Sequence, residues 1–80
     1  MVYENAVDAK ETYDMILMGM GGKAKTEEVQ ELGDQARIGG YDLLFQRCNT
    51  VVHFRMFANA DARITYARNL DERLTPLVCR

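Results

Sequence analysis

Apolar residues recur at helical spacing over most of this chain. In residues 2–20 they fall at intervals of three and four and give one broad apolar face. A shorter stretch of the same kind, 26–37, begins at Thr26, which is a favourable N-cap residue. A third stripe over 60–74 is followed by Pro76, which is expected to stop it. We therefore predict helices over 2–20, 26–37 and 60–74.

The segment 41–57 is apolar on both sides when it is drawn as a helix. The side opposite its main apolar arc holds Leu43, Phe54 and Phe57. A helix with two apolar faces has neighbours on both sides. The pattern therefore predicts a central helix over 41–57, within a single all-α domain that spans residues 1–80 and contains three to four helices.

Two alternatives stay open in the middle of the chain. Gly39-Gly40 favours a break, because each interior glycine costs a helix about 1 kcal/mol relative to alanine. The apolar register nevertheless continues across the glycine pair, so 26–57 is either one helix or two. Residues 50–57 also alternate in the manner of a β-strand, and short apolar runs do not distinguish the two periods.

The size of the chain predicts that it associates with itself. A domain of 80 residues buries only about 60% of the surface that its unfolded chain exposes. Cys48 and Cys79 are the two cysteines, with no Cys-x-x-Cys and no signal peptide, so a reduced, cytoplasmic protein is expected. No apolar run approaches the roughly 20 residues of a membrane span. With disulfides and metal set aside, a homodimer is the remaining source of stability.

Acidic and basic residues are segregated along the chain. Residues 1–36 contain eight acids and three lysines, and residues 37–80 contain seven arginines and four acids. The two parts therefore carry charges of −5 and +3, which agree with the net charge of −2. Because arginine forms bidentate contacts with carboxylates and phosphates, the simplest interpretation is that the two parts meet, within one chain or across a dimer.

No motif of catalysis or cofactor binding is complete. Residues 16–26, ILMGMGGKAKT, have the composition of a phosphate-binding loop, but Leu17 and Ala24 occupy positions that the P-loop reserves for Gly and Ser/Thr. Cys48 and His53 would point about 140° apart on a helix and so would not share a metal. We predict no cofactor, no metal site and no catalytic residue, and a protein that is not an enzyme.

The predicted function is protein–protein interaction, as an adaptor, a regulator or a stoichiometric inhibitor of the kind that phages and viruses also make. The partners expected are a second copy of the chain and another protein. The candidate interface residues are apolar or have apolar neighbours: Leu43, Arg47, Phe54, Phe57, Met15 and Met18.

Two other functions compete with this one. A nucleic-acid-binding regulator would use the arginines of the C-terminal part across a dimer, namely Arg63, Arg68 and Arg73. These arginines do not form one stripe on a helix, and the chain is acidic overall, so this function ranks second. A small helical enzyme with an arginine-lined pocket between subunits ranks third.

Overall fold

The fold is an antiparallel sheet with one helix packed against each face. The computed structural model describes residues 6–79. The elements follow one another along the chain as α1 (Ala6–Gly19), β1 (Glu27–Glu28), β2 (Gln35–Gly39), β3 (Asp42–Arg47), β4 (Thr50–Arg55) and α2 (Ala60–Val78). The strands lie side by side in chain order. The prediction of an all-α bundle is therefore wrong, because the fold is α+β.

The predicted central helix over 41–57 is replaced by β3 and β4. Leu43, Leu44 and Phe45 are consecutive and fully buried, which a central strand requires because successive side chains point to opposite faces. The segment is covered on both sides, as its apolar composition indicates. Its side chains alternate between the two faces with the two-residue period of a strand. Of the alternatives for 50–57, the strand is confirmed over Thr50–Arg55.

Two tight turns make the hairpins of this sheet. Gly40 and Tyr41 join β2 to β3, and Gly40 has the left-handed φ of 56° that two-residue hairpin loops favour. Cys48 and Asn49 join β3 to β4, and Cys48 has a φ of 53°, uncommon for a residue other than glycine. Asp34 Oδ2 accepts a hydrogen bond from Cys48 N at 2.7 Å. Gly39-Gly40 thus ends a strand, and both helical interpretations of 26–57 are wrong.

The predicted helix over 26–37 is also absent. Its first residues form the short strand β1, and its last residues belong to β2. Between them Glu31 and Gly33 have φ values of 58° and 59°, which a right-handed helix excludes. A Cβ atom at Gly33 would lie 2.5 Å from the carbonyl oxygen of Gln46, so the close approach of this turn to β3 requires glycine.

The helices at the two ends of the chain are present with different bounds. α1 covers residues 6–19 of the predicted 2–20, and residues 2–5 lie outside the described residues. α2 runs to Val78 with Pro76 inside its last turn. Asn59 caps α2 by accepting a hydrogen bond from Ala62 N at 2.8 Å. Within the described residues, neither helix is long and apolar enough to cross a bilayer.

The sheet has a separate apolar core on each face. The core under α2 is the larger, and its buried members are Val29, Leu32, Ala36, Ile38, Leu43, Phe45 and Ala67. The core under α1 consists of Ala9, Tyr13, Leu17, Leu44 and Val51. The chain therefore covers both faces of β3 with its own helices.

A disulfide joins Cys48 to Cys79, whose Cα atoms are 5.6 Å apart. It ties the end of α2 to the β3–β4 turn. The expectation of two reduced cysteines is wrong in this structure, because a spacing of 31 residues along the chain does not show that the fold brings the residues together.

Candidate interaction surface

A pair of exposed aromatic side chains stands at the end of the sheet where β4 runs out. The rings of Tyr41 and Phe57 are 4.8 Å apart with an interplanar angle of 55°. Phe57 is 80% exposed and Tyr41 is 53% exposed. Their mutual contact holds them in place while leaving much of their surface to solvent.

The backbone fixes this pair at the sheet corner. Met56 N donates a hydrogen bond to Tyr41 O at 2.9 Å, which continues the β3–β4 pairing by one step. Next to it, Arg55 Nε donates to Asp42 Oδ1 at 3.1 Å. Hydrogen bonding to this carboxylate raises the pKa of Arg55. These two hydrogen bonds therefore fix the end of β4, which Phe57 follows by two residues.

A second aromatic pair lies on the α2 side of the same strand. Phe54 of β4 contacts Tyr66 of α2 edge to face, with ring centroids 5.2 Å apart. Phe54 is half-buried against the core under α2, and Tyr66 is 47% exposed. Together the two pairs define what we call the aromatic surface, which consists of Tyr41, Phe54, Phe57 and Tyr66.

The structure separates the six candidate interface residues. Phe54 and Phe57 belong to the aromatic surface. Met15 and Met18 are 74% and 79% exposed on the outer side of α1, across the sheet from α2. Leu43 is fully buried under α2, so it is not available to a partner in this fold.

Arg47, the sixth candidate, is occupied by an internal ion pair. Its Nε and Nη2 atoms each donate to Asp71 at 2.7 Å, and Nη1 lies 3.5 Å from Asp34. Asp71 is 6% exposed and also accepts from Gly33 N at 2.9 Å. The Arg47 hydrogen bonds hold the pKa of Asp71 below its usual value, and Asp71 raises that of Arg47. The cluster joins α2 to the sheet.

The three arginines proposed for nucleic acid do not gather into one patch. Arg63 is buried against the sheet at 7% exposure. Arg68 is exposed, and its Nη2 lies 3.4 Å from Gln30 O. Arg73 is exposed. Residues five and ten positions apart on α2 point about 140° and 280° from the first. Nucleic-acid binding by this set stays a prediction.

A polar cavity lies between α1 and the β2 side of the sheet. It has a volume of about 240 Å³, and Tyr13, Asp14, Glu28 and Arg37 are among its lining residues. Arg37 is engaged by Thr26, whose hydroxyl and carbonyl oxygens each accept a 2.7 Å hydrogen bond from its guanidinium. The buried Tyr13 hydroxyl has no hydrogen-bond partner among the described residues. Burial raises the pKa of Tyr13 to about 12.

His53 and the cysteines form no metal site in the part of the chain that the structure describes. His53 Nε2 lies 3.6 Å from Asp42 Oδ1, and Cys48 is bonded to Cys79. No group of three or more His, Cys, Asp or Glu side chains within residues 6–79 is arranged to hold a metal ion. Comparison of the chain with protein-family models, curated proteins and solved structures gives no match.

Proposed function

We propose that this chain is a non-enzymatic interaction module that binds a partner protein through the aromatic surface. The observation that carries the proposal is the 80% exposure of Phe57 in a ring contact with Tyr41. An aromatic side chain held at a surface loses little conformational freedom on binding and buries a large apolar area. Tyrosine is also enriched among the residues that dominate binding energy.

The position of the surface supports the same function. Among the described residues, β4 lies at the edge of the sheet, beside β3. The aromatic surface adjoins that edge. Arg55, whose side chain is 65% exposed, and His53 alternate with Phe54 along this strand and place polar groups next to it. An apolar centre with a polar rim is the usual composition of a protein interface.

A second copy of this chain remains one of the two proposed partners. The argument for it changes, because α1 and α2 already cover both faces of the sheet and no second chain is needed to shield 41–57. Support for self-association now comes from the β4 edge and the aromatic surface. A cytoplasmic location also stays a proposal, and the Cys48–Cys79 disulfide is the observation against it, because disulfides persist in oxidising compartments.

Replacing Phe57 by Asp tests the proposal. We expect Phe57→Asp to abolish capture of the partner protein from a cell lysate and, if the chain is a dimer, to reduce its molar mass in sedimentation analysis. Folding should be unaffected, because the side chain is mostly in solvent. Circular dichroism and thermal unfolding verify that condition.

Met18→Asp is the matched control, since Met18 is 79% exposed on the far side of the sheet. It introduces the same charge at an equally exposed apolar position. Equal loss of binding in both variants would show that apolar exposure in general is responsible. Unchanged binding in Phe57→Asp would refute the aromatic surface as the contact site.

A further inference from the structure

Arg63 is a buried arginine without an acidic partner. It is 7% exposed, and its Nε atom has no hydrogen-bond partner among the described residues. Its Nη1 atom donates to Asp42 O at the long distance of 3.3 Å. None of the ion pairs formed within residues 6–79 includes it. A buried charge of this kind is costly unless an opposite charge compensates it.

The side chain of Arg63 lines a cavity of about 260 Å³ at the start of α2. Lys25 brings a second cation to the same cavity, and Glu27 brings one carboxylate. The backbone of Gly39 and Gly40 forms part of the wall, where the absence of side chains leaves room. The lining residues therefore carry one net positive charge.

The first turn of α2 brings a helix N-terminus to the cavity, and Asp61, the acidic residue of that turn, is not among the described lining residues. Ala60, the first residue of this 19-residue helix, lines the cavity. The N-terminus of a helix carries a partial charge of roughly +0.5 and has amide groups without intrahelical acceptors. Asn59 occupies the amide of Ala62, and the amides ahead of it in the turn remain as donors for an anion.

We propose that this cavity is a binding site for a small oxyanion of the phosphoryl class. The anion would compensate the charge of Arg63 and contact Lys25 and the first amides of α2. A phosphoryl group is favoured over a carboxylate because two cations and a helix N-terminus surround the cavity, and phosphate carries more charge and more acceptor oxygens. This site borders the aromatic surface at Gly40 and Tyr41 but shares no residue with it, and each proposal has its own test.

An NMR titration of the full chain with inorganic phosphate at constant ionic strength tests the site. We expect saturable shifts of the Gly39, Gly40 and Ala60 amides, with acetate binding more weakly than phosphate. In Lys25→Gln the dissociation constant should rise about 2–5-fold, as expected for loss of one exposed charge contact. Shifts that do not saturate, or acetate binding as tight as phosphate binding, would overturn the proposal.

Lys23→Gln is the matched control, since Lys23 is also exposed but lines the cavity beside α1. An equal weakening by Lys23→Gln and Lys25→Gln would show general charge screening and overturn the assignment. Arg63→Met should lose the amide shifts while remaining folded, because it removes the uncompensated charge and keeps an unbranched, apolar side chain in the buried position. If Arg63→Met does not fold, the comparison of Lys25→Gln with Lys23→Gln still tests the proposal.

Discussion

The two faces of the sheet are held to their helices by different means. α2 is attached by the larger core, by the buried ion pair of Asp71 with Arg47 and by the disulfide at its end. α1 is attached by a smaller core, and the Lys10–Asp14 ion pair on it is exposed and lies within the helix. The contacts that stabilise this small chain are therefore concentrated on the α2 side of the sheet, which also carries the aromatic surface.

The firmer attachment of α2 favours the aromatic surface as a binding site. A contact surface works best when its side chains are already positioned, because ordering them on association costs free energy. The aromatic surface stands on the β2–β3 turn, on β4 with the residues that follow it, and on α2. The Asp71–Arg47 ion pair ties α2 to β3, and the disulfide ties its end to the β3–β4 turn. Met15 and Met18 stand on α1, which packs on the sheet through the smaller core. Of the two exposed apolar regions, the one on the firmly attached side is the better candidate for a specific contact.

The largest expected effect comes from opening the disulfide. A covalent link across 31 residues stabilises a domain by about 3–4 kcal/mol through the unfolded chain. We expect Cys48→Ser with Cys79→Ser to lower the free energy of unfolding by that amount in urea titrations. A reducing agent should affect the parent protein similarly and leave the double variant unchanged. An equally stable double variant would show that the disulfide does not contribute to the attachment of α2.

Removing the Asp71 carboxylate should have the next largest effect. Asp71→Ala leaves Arg47 and Gly33 N without their acceptor, which we expect to cost about 2–3 kcal/mol, below the range for fully buried pairs because Arg47 is partly exposed. Since the folded pKa of Asp71 is lowered, its stabilisation is present above pH 3.8 and is lost as the pH falls through the folded value.

Urea unfolding at neutral and acid pH measures this effect. The difference between the parent protein and Asp71→Ala should narrow as the pH falls below the ordinary range of aspartate. Glu72→Ala is the control, because Glu72 is the exposed neighbour on the same helix. A constant difference at all pH values would contradict the assigned ion pair.

The sequence predicts part of this fold, and the misses have physical causes. Both terminal helices follow from long, strongly periodic segments. The sheet does not, because a strand with both faces covered reads as a short apolar run such as Leu43–Phe45, whose period is ambiguous. The turn at Cys48 carries no glycine at its left-handed position. Its geometry depends on Asp34 and Cys79, which are distant in sequence.

The sequence predicts only the two phenylalanines of the aromatic surface. Phe54 and Phe57 follow from a helical projection of 41–57, and the structure adds Tyr41 and Tyr66, whose roles depend on ring contacts across the sheet and helix. Leu43 was grouped with them through a helical projection that does not apply to a strand. A strand projection of 41–57 would have placed Tyr41 and Leu43 on one face and was the available signal.

The smallest effect at neutral pH is expected for Tyr13→Phe, on the α1 side. The buried hydroxyl of Tyr13 has no described partner, so its removal should leave stability unchanged or raise it by up to about 1 kcal/mol. At alkaline pH the difference in the free energy of unfolding between Tyr13→Phe and the parent protein grows. Because the folded pKa is about 12 against an ordinary value of 10.0, the parent protein loses stability as the pH rises through that interval, by up to about 2–3 kcal/mol.

Tyr13→Phe should escape that alkaline loss, whereas Tyr66→Phe, at an exposed tyrosine, should not. Urea unfolding across the interval measures the difference, and tyrosinate absorbance should show a late-titrating group that disappears in Tyr13→Phe. Loss of that group in neither variant would mean that the hydroxyl is reached by solvent. The α1 side would then be more open than the packing of Tyr13 against the sheet indicates. Its contrast with the α2 side, which the disulfide links to the β3–β4 turn, would be greater.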